Sequence, residues 1–347
     1  MKAAEIREKI FYNAVWKATA CNHREIKKLK EKGIAWEGIF SKLGGGNGLP
    51  DPEKEWDKLE NNGISLIMAD EPDFPALLRE IYWPPFGIYI KGENGVSKNT
   101  AVGIVGTRKA TDDGVELSRR FGAELARAGI SVISGLAFGI DAAAHKGCLD
   151  AGGFTAAVLA CGLDSVYPKS NERLAEEILS KGGVLISEYP PGTPPLPHRF
   201  IERNRLVSGL SSGIVVVEAP EKSGSLATAR FATEQNREVF VVPGPANHRN
   251  FSGSHGLIRN GARLVSKVSE ILEDLNITEP SERIGSGETE EERLVFEAIK
   301  NFSEPAGIDK IAEITELESR AVSQALTLLL LKNIVKENGE GYTLMNN

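Results

Sequence analysis

Short apolar runs alternate with amphipathic stretches along the middle of the chain, and this pattern predicts the fold. From Thr100 onwards, runs such as TAVGIVGT, FTAAVLA and GIVVVEA are separated by segments with apolar residues at helical spacing. Strands that are apolar on both faces and separated by helices are typical of a parallel sheet covered on both sides. The pattern therefore predicts an α/β fold over residues 96–275, with a Rossmann-like, doubly wound, mostly parallel sheet.

The segments that flank this core have different patterns. Residues 1–95 carry apolar positions at helical spacing, then a GGGNG run and two strand-like pieces around a Pro-Pro turn. This predicts a helical N-terminal domain, SAM-like or helix-hairpin-like, with a lead-in to the core. Residues 276–290 are acidic and contain Pro and Gly, as linkers do. Residues 291–347 resemble three short helices and a terminal hairpin, which predicts a small winged-helix domain.

The composition limits the class of protein. Hydrophobic residues make up 41% and charged residues 26% of the chain, values that suit a globular protein with a large core. No apolar run approaches the roughly 18 residues of a membrane span, and the N-terminus lacks the apolar region of a signal peptide. The three cysteines form no CxxC pair, which disfavours a zinc module or a disulfide framework. We therefore expect a cytoplasmic protein.

The net charge of −7 is unevenly distributed. Residues 273–292 contain eight acids and one base, so this stretch alone accounts for the total. Residues 199–263 contain nine Lys or Arg residues against five acids. Because a binding groove depends on local fields rather than on whole-chain charge, the acidic total neither excludes nor suggests a nucleic-acid partner.

The positions after the predicted strands carry small, basic and aromatic residues. In doubly wound sheets, ligands bind beyond the carboxyl ends of the strands. Free amides at helix starts and arginine side chains favour anions, and an exposed aromatic ring can stack on a base. Each feature also has a purely structural explanation. Arg108 and Lys109 could form a plain basic turn, Ser223 a helix cap, Phe138 part of the core, and the arginines near 203 a solvated helix face. The candidate binding residues are Gly106, Thr107, Arg108, Lys109, Phe138, Lys169, Arg203, Asn204, Arg205, Ser223, Gly224 and Ser225.

Several catalytic and cofactor motifs are absent or lie in the wrong context. The first core strand ends without the GxGxxG turn of a dinucleotide site, and no Walker A sequence occurs. The GLSSG at 209–213 fits the hydrolase pattern GxSxG but lies where a helix ends and a strand begins. Asp141 and His145 could share a metal, but no third ligand has convincing spacing, and a helix cap with a locally bonded histidine is favoured. We expect no cofactor, no metal and no catalytic residues.

Taken in order, the segments GTR, SGLAxGID, CGLDxVYP, LISE, RNRLVSGLS, EAxxxSGSLATA, VFVVPG and GSHGLIRNGA resemble the core of the DNA-processing protein A (DprA/Smf) family. The likeness covers about 100–270 and is weaker at 72–92. The resemblance implies a non-catalytic homodimer that holds single-stranded DNA in a basic pocket. It also implies loading of the RecA recombinase during natural transformation and homologous recombination.

Two other functions use the same type of sheet. Nucleotide phosphoribohydrolases of the LOG (lysine-decarboxylase-like) group carry a PGGxGT turn with a catalytic acid nearby. The comparable turn here is KSGSLATARF, and the first acid after it is Glu234. A nucleotide-sensing or scaffold module would instead bind a free nucleotide tightly. Mononucleotide hydrolysis and free-nucleotide binding distinguish these two alternatives from a DNA-binding protein.

Overall fold

The structure, a computed structural model, describes residues 3–45, 48–93, 95, 100–277, 289–302, 305–332, 334–339 and 341–344. They belong to two compact units, Met1–Ile277 and Thr278–Asn347. Among the described residues, every helix is too short or too polar to span a membrane.

In the first unit, the described residues form a nine-stranded sheet with helices between its strands. Its helices are α1 Ala3–Ala18, α2 His23–Lys30, α3 Trp36–Lys42, α4 Pro52–Asn61, α5 Ala76–Arg79, α6 Asp112–Arg127, α7 Ile140–Asp150, α8 Glu172–Ser180, α9 Pro197–Gly209, α10 Gly224–Glu234, α11 Ser252–Arg259 and α12 Val268–Asp274. Its strands are β1 Ile64–Met68, β2 Gly87–Lys91, β3 Ala101–Val105, β4 Ser131–Ser134, β5 Thr155–Leu159, β6 Val184–Ser187, β7 Gly213–Val216, β8 Glu238–Val241 and β9 Arg263–Leu264.

The order of strands in the sheet is β1-β2-β6-β5-β4-β3-β7-β8-β9. From β3 the chain winds outward to β6, returns to β7 beside β3, and continues to β9, with parallel pairing throughout. Strands β3, β4, β5, β6 and β7 are buried at every position, which is why they are apolar on both faces. The predicted doubly wound α/β fold is confirmed. A crevice opens where the winding direction changes, at the carboxyl ends of β3 and β7.

The N-terminal segment is helical, as predicted, but its two strands extend the core sheet. Strand β2 pairs antiparallel with β6, with Tyr89 opposite Ser187, and β1 pairs with β2. In addition, Nε1 of Trp16 on α1 donates a hydrogen bond to the carbonyl of Glu188 at 2.7 Å. The predicted boundary between residues 95 and 96 therefore does not separate two compact units. The ladder and the packing join the two sides.

Helices α6 and α7 pack so closely that glycine is required between them. A Cβ placed on Gly147 would lie 1.8 Å from the carbonyl oxygen of Arg119, and a Cβ on Gly122 would lie 2.3 Å from the carbonyl oxygen of Ala144. Neither neighbour is a flexible side chain, so the backbones would have to separate. This close contact fixes α7, whose first turn lies at the cavity described below.

The described residues of the second unit form three helices and a hairpin: α13 Glu290–Lys300, α14 Ile308–Thr315, α15 Ser319–Leu331, β10 Val335–Asn338 and β11 Gly341–Leu344. Val295, Ile311 and Leu329 are fully buried in its core. The elements match those predicted, and the winged-helix assignment stays a prediction. Most of the predicted linker at 276–290 lies outside the described residues.

Candidate functional site

A cavity of about 540 Å³ opens at the carboxyl ends of the central strands. The loops that follow β3, β4, β5 and β7 and the first half of α9 form its walls, so the cavity coincides with the crevice of the doubly wound sheet. Its lining includes Gly106, Thr107, Arg108, Gly135, Asp141, Tyr167, Phe200, Arg203, Asn204, Lys222, Ser223, Gly224 and Ser225.

Aromatic rings and a cation form one rim of the cavity. The guanidinium carbon of Arg108 lies 5.3 Å from the centroid of the Phe200 ring, and that ring meets Tyr167 edge to face at 5.4 Å. Phe138 lies in a small adjoining pocket with the same three residues. Tyr167 and Phe138 are each 45% exposed. Exposed rings beside a cation provide stacking surfaces for planar groups and a charge for an anion.

Buried polar residues form the floor of the cavity. Nη1 of Arg203 donates hydrogen bonds to the carbonyls of Gly135, at 2.8 Å, and Val158. The carboxylate of Asp141 accepts from the amides of Gly135 at 3.1 Å and Ala137 at 3.4 Å. Burial raises the pKa of Asp141 and lowers the pKa of Arg203, and each charge opposes the shift of the other. Arg203 thus holds the ends of β4 and β5 together while it lines the cavity.

The first turn of α10 forms the opposite wall. The side chain of Ser223 caps the helix and accepts from the amide of Ser225 at 3.3 Å. Asn204 on α9 donates from Nδ2 to the carbonyl of Gly224 at 3.1 Å, which fixes this turn against α9. Helix starts of this kind favour negative charge, so this wall and Arg108 both suit an anionic ligand.

A buried acid that the sequence analysis did not select holds the Arg108 loop in place. Glu218, fully buried after β7, accepts from the amide of Thr111 at 3.1 Å and from its hydroxyl. The same carboxylate accepts from Nδ2 of Asn250 at 2.7 Å, and that amide group also donates to the carbonyl of Lys109 at 2.9 Å. Glu218 is the first residue of the EAxxxSGSLATA segment. Its place in that segment is the sequence feature from which it could have been selected. Lys222, an exposed cation of the same segment, was also missed.

The structure brings most of the candidate residues to the cavity. Those in its wall are Gly106, Thr107, Arg108, Arg203, Asn204, Ser223, Gly224 and Ser225, with Phe138 in the adjoining pocket. Lys109 and Lys169 are exposed but lie outside the lining. Arg205 is only 1% exposed and pairs with buried Glu188 at 2.7 Å. Two residues apart on a helix, Arg203 and Arg205 point to different faces, so Arg205 does not reach the cavity.

Asp141 and His145 are each engaged by local hydrogen bonds. The Asp141 carboxylate caps the turn at Gly135, and Nδ1 of His145 lies 2.7 Å from the Thr155 hydroxyl. Burial lowers the pKa of His145 to about 3, so this imidazole is neutral at physiological pH. Among the described residues, no three His, Cys, Asp or Glu side chains cluster as a metal site would require.

Comparisons of sequence and of structure with known proteins find relatives of the same family. The family model for DNA recombination-mediator protein A matches residues 65–276. Protein Smf of Escherichia coli is 43% identical over 217 residues, which is 62% of this chain and 58% of that protein, so the match spans less than two thirds of that relative's length. The crystal structure of DNA processing protein A from Streptococcus pneumoniae superimposes with a TM-score of 0.65 and 31% identity, covering 76% of this chain and 97% of the other. A Helicobacter pylori DNA processing protein A, whose structure is described as showing a single-stranded DNA binding mode, gives a TM-score of 0.56 and 29% identity, covering 61% and 95%.

Proposed function

The chain belongs to the DNA recombination-mediator protein A family, and from that premise we propose that it binds and protects single-stranded DNA in the cavity at the carboxyl ends of the central strands. As part of the same proposal, it acts as a homodimer and helps to load RecA onto that DNA during natural transformation and homologous recombination. It does so without catalysing a reaction. The solved Helicobacter pylori relative supports the choice of ligand, since single-stranded DNA binding is what that structure is described as showing.

The observation that carries the proposal is the combination of three features in one cavity. Arg108 and Lys222 supply positive charge, the first turn of α10 supplies the positive end of a helix dipole, and the rings beside Arg108 supply stacking faces. Cations and a helix N-terminus suit phosphates, while aromatic faces suit bases of any identity. A chain that repeats phosphate and base uses all three features, whereas a simple anion uses only the first two.

The exposed rings also favour a single strand over a duplex. Stacking on Tyr167 or Phe138 requires a base whose face is free, and duplex bases are covered by their neighbours on both faces. The rings line a recess rather than a flat surface. We therefore expect strand-selective binding with little sequence preference.

The acid that the phosphoribohydrolase alternative would use as its catalytic residue does not line the cavity. Glu234, the first acid after the KSGSLATARF turn, is exposed at the end of α10 and pairs with Arg230 at 3.5 Å. Among the described residues that line the cavity, Asp141 is the one acid, and its carboxylate accepts two backbone amides. These placements favour a binding function over glycosidic-bond hydrolysis.

The test compares a labelled single strand with a duplex of equal length at low and moderate salt. Arg108→Ala is compared with Arg127→Ala, an exposed arginine at the far end of α6 from the Arg108 loop. Loss of a charge-assisted contact predicts roughly tenfold weaker single-strand binding for Arg108→Ala, with Arg127→Ala close to wild type. Equal affinities for the two variants would place DNA elsewhere, and no binding of either substrate at low salt would refute the function.

A further inference from the structure

Outside the cavity, the second helix presents a basic surface beside an exposed tyrosine. Arg24, Lys27 and Lys28 are exposed and lie at i, i+3 and i+4, the spacing that places side chains on one helix face. Tyr82 is 91% exposed, and Nζ of Lys27 lies 6.0 Å from the centroid of its ring. These four residues are called the α2 patch below.

The α2 patch is mounted on a well-packed base. Ile26, which lies between the cations in sequence, is fully buried. Trp83, next to Tyr82, meets the ring of His23 at 5.5 Å, and that ring stacks on Phe86 at 4.6 Å. Ile81, on the other side of Tyr82, is 4% exposed. Both sequence neighbours of Tyr82 are therefore packed against the protein, and the turn between them holds the tyrosine ring in solvent.

The charges of the α2 patch are not neutralised within the first unit. Among the described residues, Arg24, Lys27 and Lys28 form no ion pair, whereas Arg7 on α1 pairs with Glu37 at 2.6 Å. Residues 23–32 contain five Lys or Arg residues against two acids, in a chain whose net charge is −7. The surface is therefore a local excess of positive charge on an acidic protein, which attracts polyanions at low ionic strength.

We propose that the α2 patch is a second contact surface for single-stranded DNA, with phosphates on Arg24, Lys27 and Lys28 and a base stacked on Tyr82. The proposal rests on the proposed function of the cavity, because it extends the strand that the cavity holds. An acidic protein segment would also use the cations, but it offers no planar face for a ring that is almost wholly in solvent. Base stacking uses that ring directly.

Helix α9 links the two surfaces. Asn204 lines the cavity, and the guanidinium carbon of the next residue, Arg205, lies 4.3 Å from the centroid of Trp83. Trp83 adjoins Tyr82 in the chain, and Asn204 and Arg205 point in different directions from α9, so the Tyr82 turn lies beside the Arg205 side of the helix and not beside the cavity. On this proposal a strand that only fills the cavity leaves the α2 patch free, and a longer strand contacts both.

The test measures binding of a thymidine strand of about six nucleotides and one of about thirty, over a salt series. The variants are Lys27→Gln/Lys28→Gln and Tyr82→Ala. The matched control is Lys42→Gln/Lys54→Gln, which removes two exposed lysines from the neighbouring helices α3 and α4. For the long strand, losing two phosphate contacts predicts a decrease of about 1.4 in the slope of log K against log salt, and losing one stacked base predicts about fivefold weaker binding. The short strand should bind all variants as it binds wild type.

Unchanged affinity and salt slope of the long strand in both patch variants would overturn the inference and leave the cavity proposal standing. Equal weakening of short and long strands would overturn it too, because the defect would then lie in the cavity or in folding. If wild type binds neither strand, the proposed function and this extension both fail. Thermal unfolding midpoints equal to wild type show that the variants are folded, as expected for exposed side chains.

Discussion

Arg205 and Glu188 form a buried ion pair, and removing one partner tests whether this arginine stabilises the fold instead of contacting a ligand. Nη2 of Arg205 lies 2.7 Å from both carboxylate oxygens, the side chains are 1% and 3% exposed, and Trp83 covers the guanidinium. Arg205→Met removes the charge but keeps an apolar side chain of similar length. Because a buried carboxylate is left without its counter-charge, we expect the free energy of unfolding to fall by about 3–5 kcal/mol.

The effect of this substitution depends on pH in a defined direction. Burial raises the pKa of Glu188, and Arg205 opposes that rise. In Arg205→Met the pKa rises further, so the folded state keeps a proton that the unfolded state releases above about pH 4.3. The variant should therefore lose stability relative to wild type as the pH rises from about 5 to 8, by at most about 1.4 kcal/mol per pH unit.

Urea denaturation followed by tryptophan fluorescence measures this effect in the first unit. All four tryptophans, Trp16, Trp36, Trp56 and Trp83, lie in Met1–Ile277. The double variant Arg205→Met/Glu188→Leu buries no unpaired charge and should recover most of the lost stability. If Arg205→Met has wild-type stability but binds DNA more weakly, the reasoning is refuted, and Arg205 contacts DNA instead of stabilising the fold. Arg108→Ala should show the opposite pattern, with weaker binding and a stability change within about 0.5 kcal/mol.

Two further predictions concern packing and pH. Gly147→Ala should destabilise the first unit by about 1–3 kcal/mol or more, because the added Cβ would overlap the Arg119 carbonyl. Gly256→Ala, at a helical site with open space around it, should be neutral or slightly stabilising. Equal urea midpoints for the two variants would contradict the close α6–α7 contact. The pKa of His145 is lowered to about 3 in the folded state. As the pH falls below about 6.5, the histidine is therefore protonated in the unfolded state but stays neutral in the folded state. The free energy of unfolding should then fall by up to about 1.4 kcal/mol per pH unit. Urea curves at pH 7 and pH 5 should show a smaller decrease for His145→Asn, and an equal decrease would mean that His145 is protonated in the fold.

The parallel core could be predicted because its signal is local. Each buried strand is a short apolar run, and each helix shows its own periodicity, so both can be recognised without knowing their partners. The joining of β2 to β6 could not be predicted in this way. Residues Tyr89 and Ser187 are adjacent in the ladder but far apart in sequence, and a strand-like run does not reveal which edge it will pair with.

The candidate site was predictable in position but not in every residue. The rule that ligands bind beyond the strand ends leads to the loop of Arg108 and to the start of α10. It does not separate Arg203 from Arg205, because the two face different sides of a helix whose orientation depends on tertiary packing. Glu218 was missed for a related reason, since its partners Thr111 and Asn250 come from distant loops. An acid that holds a loop in place is recognised once those loops are seen together.

The pairing of β2 with β6 has a consequence for producing fragments of this protein. A fragment that starts at residue 96, where the sequence suggests a domain boundary, would lose the strand that covers β6. The backbone groups of Leu185, Ile186 and Ser187 that pair with β2 would become an unprotected edge, flanked by apolar side chains that are buried in the whole unit. Open edges of this kind promote association between chains, so a soluble core fragment should begin before α1 rather than after β2.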